Sequence, residues 1–276
     1  MNGKMFFSFA AAVLSPASSM AETQKIEIAG SVGKLSAIVQ KPALEPKQKC
    51  PMVMLLHGFS GNKDESLFIK IADELLKKNI ASIRFDFNGH GESEGEFQNM
   101  TVLNEIEDAK KVFEYASSLD YVESVSVAGH SQGGVVTSML AGELGKSKVK
   151  CAVLMAPAAV LREDVIRGNT MGSMYDPLNP PEYVELFDGK LKLGREYIKT
   201  AFNLPIYEVA GKYTGDVCLI HGTGDRVVPF SYSEYYHQIY KNSEIHILDG
   251  QDHGFSQDNQ VQVVKLATDF LVKNCK

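Results

Sequence analysis

The chain has 276 residues, of which 44% are hydrophobic and 22% are charged, and its formal net charge at pH 7 is −6. This composition is typical of a globular protein with one large domain or two small ones. The acidic balance, with no block of lysine and arginine, argues against nucleic-acid binding. It also argues against electrostatic attachment to anionic lipid.

The first 21 residues have the order of a secretory signal peptide. Lys4 is followed by an apolar run over Met5–Leu14, and Ser19-Met20-Ala21 then provides the small residues of a cleavage site after Ala21. The apolar run is too short to span a bilayer, and no other segment has a transmembrane pattern. We expect a secreted or periplasmic protein, and the alternative is a buried N-terminal helix.

Export would permit disulfide bonds, and the chain has four cysteines, at positions 50, 151, 218 and 275. Cys151 and Cys218 lie in apolar, strand-like runs, where small buried thiols are typical. The four cysteines do not have the spacing of metal ligands. We expect no essential disulfide, and the sequence implies no metal and no organic cofactor.

Short apolar runs alternate with helical patterns along most of the chain. The predicted strands are Lys25–Ile28, Lys34–Val39, Pro51–Leu56, Ile80–Phe85, Ser124–Val127, Val149–Met155, Val217–Ile220 and Ile245–Leu248. Five helices are predicted. The first follows Asp64, which we expect to cap it, the second begins at Thr101 and the third follows Ser131. The fourth covers Ser231–Tyr240, and the last lies around Val264–Leu271, near the end of the chain.

This alternation predicts the α/β class, with a mainly parallel sheet and helices on both faces. Residues 158–214 interrupt the rhythm with scattered aromatic residues and four prolines. Long irregular segments inside compact domains are usually lids or binding loops. We therefore predict one domain over residues 22–276, with a small cap inserted at about 158–214. Ligands of such sheets bind at the carboxyl ends of the strands.

The sequence Gly129-His130-Ser131-Gln132-Gly133 lies between a predicted strand and a predicted helix. A serine in this context stands on a strained turn that exposes its hydroxyl and requires very small neighbours. The helix that follows directs its free N–H groups toward negative charge that develops beside the hydroxyl. The alternative is a glycine-rich connection with an incidental serine.

A serine hydroxyl needs a base to act as a nucleophile, and the base is most often histidine. Four of the seven histidines, His57, His90, His221 and His253, follow predicted strands. We select His253, because it follows the last strand and has flexible neighbours, and we interpret His57 and His90 as residues that brace loops. The alternative for His253 is a loop histidine that merely caps a strand.

The imidazole needs an acid that fixes its tautomer and stabilises its cation. Asp225 follows the strand before His253, and the order Ser131, Asp225, His253 is that of one known class of triad. Asp249 and Asp252 are the alternatives, but they are too close to His253 in sequence to turn back easily.

A tetrahedral intermediate also needs hydrogen-bond donors for its oxyanion. We expect these donors to be the backbone N–H groups of Phe59, in the His-Gly-Phe loop, and of Gln132, at the start of the helix. Each such donor contributes roughly 3 kcal/mol of transition-state stabilisation.

Five motifs, HGF, DFNGHGESEG, GHSQGG, HGTGD and DHGF, together resemble the α/β-hydrolase superfamily, from about Lys25 to the C-terminus. Within it, APAAVLRED, Gly168-Asn169-Thr170 and LPIYE at residues 204–208 resemble bacterial feruloyl (cinnamoyl) esterases. Those enzymes release hydroxycinnamic acids from plant-wall esters and cover the acyl pocket with a small cap. The resemblance implies the α/β-hydrolase fold and the site roles that follow.

The resemblance implies that Ser131, His253 and Asp225 are nucleophile, base and acid, and that Phe59 and Gln132 form the oxyanion hole. It places Asp164 and Tyr197 at the phenolic end of the substrate. Met171 stands where the family has a glutamine after Gly-Asn-Thr. The alternative for these three pocket residues, Asp164, Tyr197 and Met171, is that they pack the cap onto the body of the domain.

These observations predict a secreted serine esterase that acts on feruloyl or related esters through an acyl-enzyme intermediate. The expected partner is a small aryl ester or a feruloylated oligosaccharide, and the sequence leaves open whether the protein is a homodimer. Two alternatives remain: a generalist short-chain esterase or serine peptidase of the same fold, and a non-catalytic binding protein.

Overall fold

The computed structural model of the protein describes residues 20–276. The signal peptide expected over residues 1–21 therefore lies almost wholly outside the described residues. Within them, no helix combines the length and the apolar character that crossing a bilayer requires.

The secondary structure follows the alternation predicted from the sequence. The strands are β1 (Glu22–Ala29), β2 (Lys34–Lys41), β3 (Cys50–Leu56), β4 (Ala81–Phe85), β5 (Val122–His130), β6 (Val149–Met155), β7 (Asn169–Thr170), β8 (Ser173–Met174), β9 (Tyr183–Leu186), β10 (Leu191–Gly194), β11 (Asp216–Gly222) and β12 (Ser243–Leu248). The helices are α1 (Ser66–Lys77), α2 (Val102–Ser118), α3 (Gln132–Leu144), α4 (Val160–Arg167), α5 (Arg195–Phe202), α6 (Ile206–Ala210), α7 (Ser231–Ile239) and α8 (Val261–Asn274).

The main sheet of the described residues has eight strands, in the order β1-β2-β4-β3-β5-β6-β11-β12. The first two pairs, β1 with β2 and β2 with β4, are antiparallel. The other five neighbouring pairs are parallel. The predicted fold class is confirmed: the chain has the α/β-hydrolase fold.

Every residue of the central strand β3 is buried, as expected for a parallel strand that is covered on both faces. Met52 and Met54 point into the core cluster that contains the apolar residues of α2 and α3. Val53 and Leu55 point into the second cluster, which contains those of α1 and α8. The period-two alternation of a strand thus divides the core into two layers of helix against sheet.

Two of the predicted helix starts, those near Thr101 and Asp64, had different outcomes. The helix predicted to begin at Thr101 begins at Val102, and Thr101 is its N-cap, in a reciprocal capping box with Asn104. The expectation that Asp64 caps α1 is wrong, because the N-cap residue is Glu65 and its side chain forms no capping hydrogen bond. The carboxylate of Asp64 lies instead 3.6 Å from Lys63 Nζ and 3.9 Å from an Arg84 nitrogen.

The segment between β6 and β11 contains three short helices, α4 to α6, and two small hairpins, β7–β8 and β9–β10. The sequence pattern did not reveal these elements. The strands of this segment have two to four residues and its helices five to eight. These lengths are shorter than the stretch of sequence in which a hydrophobic period can be detected. Tyr197 and Ile206 of this segment are buried in the same core cluster as α3.

All four cysteines are buried as free thiols. Burial raises the pKa of each of them, so they behave as small apolar side chains of the core.

Candidate active site

Ser131 lies between β5 and α3 on a strained turn. Its backbone dihedrals, φ 56° and ψ −124°, are unfavourable for any residue that has a side chain. A Cβ atom on either Gly129 or Gly133 would lie 2.2 Å from a backbone oxygen, so the turn closes only because both residues are glycine. This geometry is that of a nucleophile elbow.

Ser131 and His253 meet at the carboxyl ends of the strands, although 122 residues separate them. His253 Nε2 lies 2.9 Å from Ser131 Oγ, and His253 Nδ1 lies 2.7 Å from Asp225 Oδ2. Because a carboxylate only accepts hydrogen bonds, Nδ1 carries the hydrogen and Nε2 is left free to receive the serine proton. The structure thus brings together the three residues that the sequence placed on different loops.

Asp225 is held by four donors. The backbone N–H groups of Val227 and Val228 donate to Oδ1, each at 2.8 Å, while His253 and His221 donate to Oδ2. Burial alone would raise the pKa of Asp225, but the hydrogen bonds from the two histidines hold it well below its usual range. The carboxylate is therefore charged and fixed in orientation.

The two other aspartates that the sequence offered have different partners. Asp249 accepts a hydrogen bond from Thr223 at 3.1 Å. Asp252 accepts one from the backbone N–H of Ser256 at 2.8 Å. Neither forms a hydrogen bond with the imidazole of His253 in the described part of the chain.

The expected oxyanion donors lie on either side of Ser131. Gln132 is the first residue of α3. Phe59 follows Gly58, which approaches the elbow so closely that a Cβ atom added to Gly58 would lie 2.9 Å from the Cβ of Ser131. Within residues 20–276, neither backbone N–H donates to another protein group. Both donors are thus available to a charge that forms next to Ser131 Oγ.

Two further histidines support the site without contacting Ser131 Oγ. The His57 ring bridges the carbonyl of Gly58, 2.9 Å from Nδ1, and the N–H of Phe87, 3.1 Å from Nε2. His130 Nε2 donates to the backbone oxygen of His253 at 2.8 Å. Burial lowers the pKa of both rings to about 3, so both are neutral braces.

A cavity of about 500 Å³ opens beside Ser131 and extends under the segment between β6 and β11. Asp164, Met171 and Tyr197, the three predicted pocket residues, all line it. Its wall is largely apolar, and a few polar groups are placed at intervals, as is usual for sites that bind small molecules. Residues that represent this mixture are Phe59, Leu161, Asp164, Met171, Tyr197 and Val228.

Asp164 and Met171, which both line this cavity, have different surroundings. Asp164 lies 3.4 Å from Arg167 and is partly buried, and burial raises the pKa of its carboxyl group. Met171 is 44% exposed and has a left-handed φ of 51°. Asp164 therefore offers the cavity a carboxylate that already has one cation nearby.

Tyr197 belongs to a buried hydrogen-bond chain that sequence reasoning missed. Its hydroxyl donates to Gln132 Oε1 at 2.8 Å, and Gln132 Nε2 donates to Glu105 Oε2 at 2.8 Å. Burial raises the pKa of Glu105 to about 8, so this side chain is protonated at neutral pH. The sequence contained one indication that Glu105 is buried: it lies one helical turn from both Val102 and Ala109, on the apolar face of α2.

One group of side chains in the described residues has ligand atoms close enough for a metal ion. Cys218, Glu244 and His246, on β11 and β12, each place one ligand atom within 4.8 Å of the others. None of the three lines the cavity beside Ser131.

Comparison with known proteins connects these features to described families. Residues 47–179 match the family model described as serine aminopeptidase, S33. A Mycoplasma genitalium protein that carries a provisional esterase/lipase name is 30% identical over 115 residues, which are 42% of this chain. The matched region spans 41% of the length of that relative.

Solved structures match over more of the chain. Est1E from Butyrivibrio proteoclasticus with bound ferulic acid has a TM-score of 0.85 and 29% identity, and the match covers 90% of this chain and 98% of Est1E. A second Est1E structure has a TM-score of 0.81 and 27% identity, with the same coverage of both chains. A Pyrococcus furiosus esterase has 20% identity and a TM-score of 0.68, with 93% and 94% covered, and shares the fold alone.

Proposed function

We propose that the chain, which has the α/β-hydrolase fold, is a serine esterase for feruloyl and related hydroxycinnamoyl esters of plant cell-wall polysaccharide. One observation carries this proposal: Ser131, which lies 2.9 Å from His253, itself 2.7 Å from Asp225, also lines a cavity of about 500 Å³. A nucleophile, its base and a space for an acyl group are thus adjacent.

The first half of the reaction forms an acyl-enzyme. Ser131 Oγ attacks the ester carbonyl carbon and its proton passes to His253 Nε2, while the carbonyl electron pair moves to the oxygen. The N–H groups of Phe59 and Gln132 stabilise that oxyanion, and Asp225 stabilises the imidazolium. When the intermediate collapses, the bond from carbon to the alcohol oxygen breaks and the alcohol takes the proton from His253.

The second half regenerates the serine. Water attacks the acyl carbon and gives a proton to His253, and the resulting intermediate expels Ser131 Oγ, which takes the proton back from Nε2. The products are the carboxylic acid and the free enzyme.

The cavity supports the choice of a flat, hydroxylated acyl group. Phe59, Leu161 and Val228 offer apolar walls to an aromatic ring, while Asp164 offers a carboxylate to ring hydroxyls. Tyr197 also lines the cavity, although its hydroxyl donates to Gln132. The ferulic acid bound to Est1E, at 29% identity over most of both chains, supports the same class of ligand. We propose that the segment at about 158–214 acts as the cap over this cavity.

The match of residues 47–179 to a serine aminopeptidase model favours one second candidate, a peptidase that would use the same serine on an amide. A short-chain esterase without preference for aromatic acyl groups remains the other alternative within this fold. A non-catalytic binding protein would require that the three adjacent side chains have no chemical role.

The candidates are separated by kcat/KM for methyl ferulate, 4-nitrophenyl acetate and an aminoacyl 4-nitroanilide, measured on the wild type and on Ser131→Ala. We expect the ferulate ester to be the best substrate and the alanine variant to lose all three activities. A preference for the anilide would favour the peptidase, and equal turnover of both esters would remove the hydroxycinnamoyl assignment. Unchanged turnover by the alanine variant would remove the catalytic serine.

We also propose that residues 1–21 direct export and are cleaved after Ala21. The support is the order of Lys4, an apolar run and small residues at positions 19 and 21. Intact-mass measurement of the protein recovered from the periplasm or the medium of a bacterial expression host tests this. A product that begins at Glu22 is expected, whereas an uncleaved cytoplasmic product would contradict the proposal.

A further inference from the structure

We propose that His221 is a positioning residue that holds the Asp225 carboxylate in the orientation in which it serves His253. The inference rests on the proposed roles of Asp225 and His253 in ester hydrolysis. It adds a second histidine to the site, which contacts the acid instead of the nucleophile.

The contacts of His221 determine which ring nitrogen donates. His221 lies near the end of β11 and is fully buried. Its Nε2 atom lies 3.1 Å from Asp225 Oδ2 and 2.9 Å from the backbone oxygen of Val228. Both partners accept only, so Nε2 carries a hydrogen and donates to them. Ser233 Oγ on α7, 2.7 Å from Nδ1, holds the other side of the ring.

The bond from His221 completes the set of donors around the carboxylate. Oδ1 is occupied by two backbone N–H groups, and Oδ2 is shared between His221 and His253. His221 is thus the donor that holds Oδ2 independently of His253, and it hinders rotation of the carboxylate away from the imidazole.

The other groups that face His253 would be unchanged by a substitution at position 221. They are His130, whose ring centre is 4.8 Å from that of His253, and Glu65, at the N-terminus of α1. Asp252, on the same loop as His253, is bonded to Ser256. A change in the hydrogen bond of His253 in a His221 variant therefore reports on Asp225.

The test is the NMR signal of the Nδ1 proton of His253, assigned with His253→Asn, in the wild type, His221→Phe and His221→Gln. Phenylalanine removes the donor and fills most of the ring volume, whereas the glutamine amide can donate from nearly the same position as Nε2. We expect this signal, which is sharp while the Asp225 carboxylate holds the proton, to broaden through exchange with water in the phenylalanine variant and to be restored with glutamine.

Kinetics with 4-nitrophenyl acetate provide the second measurement. We expect His221→Phe to lower kcat roughly tenfold with little change in KM, as for a small misplacement of a catalytic group. If that variant does not fold, Ser233→Ala removes the partner on the other side of the His221 ring, and we expect it to broaden the His253 signal to a smaller extent. A His253 Nδ1 signal that is as sharp in the folded variants as in the wild type overturns the inference.

The two proposals can fail separately. A wild type without ester hydrolysis contradicts the proposed function, while the Nδ1 signal of His253 still decides whether His221 acts on Asp225.

Discussion

The hydroxyl of Tyr197 donates a 2.8 Å hydrogen bond to the side-chain oxygen of Gln132, 65 residues away in the sequence. Tyr197 belongs to α5, in the inserted segment, and Gln132 is the first residue after Ser131. The same Gln132 side chain bonds to Glu105 of α2. One buried amide therefore connects the inserted segment, the nucleophile elbow and the body of the domain.

Replacing Tyr197 with phenylalanine removes the donor and leaves Gln132 Oε1 buried without a partner. We expect the free energy of unfolding to fall by about 1–3 kcal/mol, which is the desolvation penalty of an unsatisfied buried acceptor. Urea unfolding followed by circular dichroism measures this loss. Tyr235→Phe is the matched control, because Tyr235 is 48% exposed and should change stability little. Equal losses in the two variants would show that the Gln132 bond adds nothing.

Glu105 predicts a dependence of stability on pH. Its folded pKa is about 8, whereas an unfolded glutamate titrates near about 4.3. The folded state thus holds an extra proton between these values, so the contribution of this residue to stability falls as pH rises through that window. The slope for one proton is at most about 1.4 kcal/mol per pH unit.

Glu105→Gln removes that titration and keeps an acceptor for Gln132. We expect the variant to gain stability relative to the wild type as pH rises from 5 to 8, measured by urea unfolding at intervals of one pH unit. Glu107→Gln, an exposed position on the same helix, is the control and should follow the wild type. Parallel curves for the wild type and Glu105→Gln would mean that the buried carboxyl does not titrate there.

Asp225→Asn tests which aspartate serves His253. An amide in place of the carboxylate favours the wrong imidazole tautomer and no longer stabilises the imidazolium, so we expect kcat to fall roughly 10⁴-fold. Asp249→Asn, at the aspartate bonded to Thr223, should retain wild-type kcat. Comparable losses in the two variants, or a mild loss in the first, would contradict the assignment of the acid.

Asp164→Asn tests how the cavity distinguishes ring hydroxyls. If the Asp164 carboxylate accepts a hydrogen bond from the phenol, replacing this charged acceptor with a neutral amide oxygen should raise the barrier by about 1 kcal/mol, or roughly fivefold in kcat/KM. We expect this loss with methyl ferulate and little change with methyl cinnamate, which has no ring hydroxyl. Asp176→Asn, in the same segment but outside the cavity lining, is the control. Equal losses with both esters would assign Asp164 a packing role instead.

The sequence predicted the sheet well because its signals are local. The seven consecutive buried residues of β3 and the small glycines around Ser131 restrict the backbone at their own positions. Loops that follow parallel strands gather at one edge, so Asp225 and His253 could be placed near Ser131 before any distance was known.

The parts that the sequence did not reveal depend on contacts distant in the chain. Glu105 and Tyr197 meet only through Gln132, and no spacing rule relates the three positions. The interaction of His221 with Asp225 also depends on the path of the loop that returns Val228 to the ring. In the inserted segment, α4, α5 and α6 bury apolar residues in the same core cluster as α3, which their own sequences do not specify.

The proposed function requires that Ser131 carries the acyl group of a hydroxycinnamoyl ester during turnover. Acid quenching of the reaction with methyl ferulate, followed by mass spectrometry of the peptide that contains Ser131, detects this acyl group. We expect a feruloyl adduct on Ser131 in the wild type and none in Ser131→Ala, which should also lack turnover. Rapid hydrolysis by the alanine variant, or a feruloyl group found on a different residue, would contradict it.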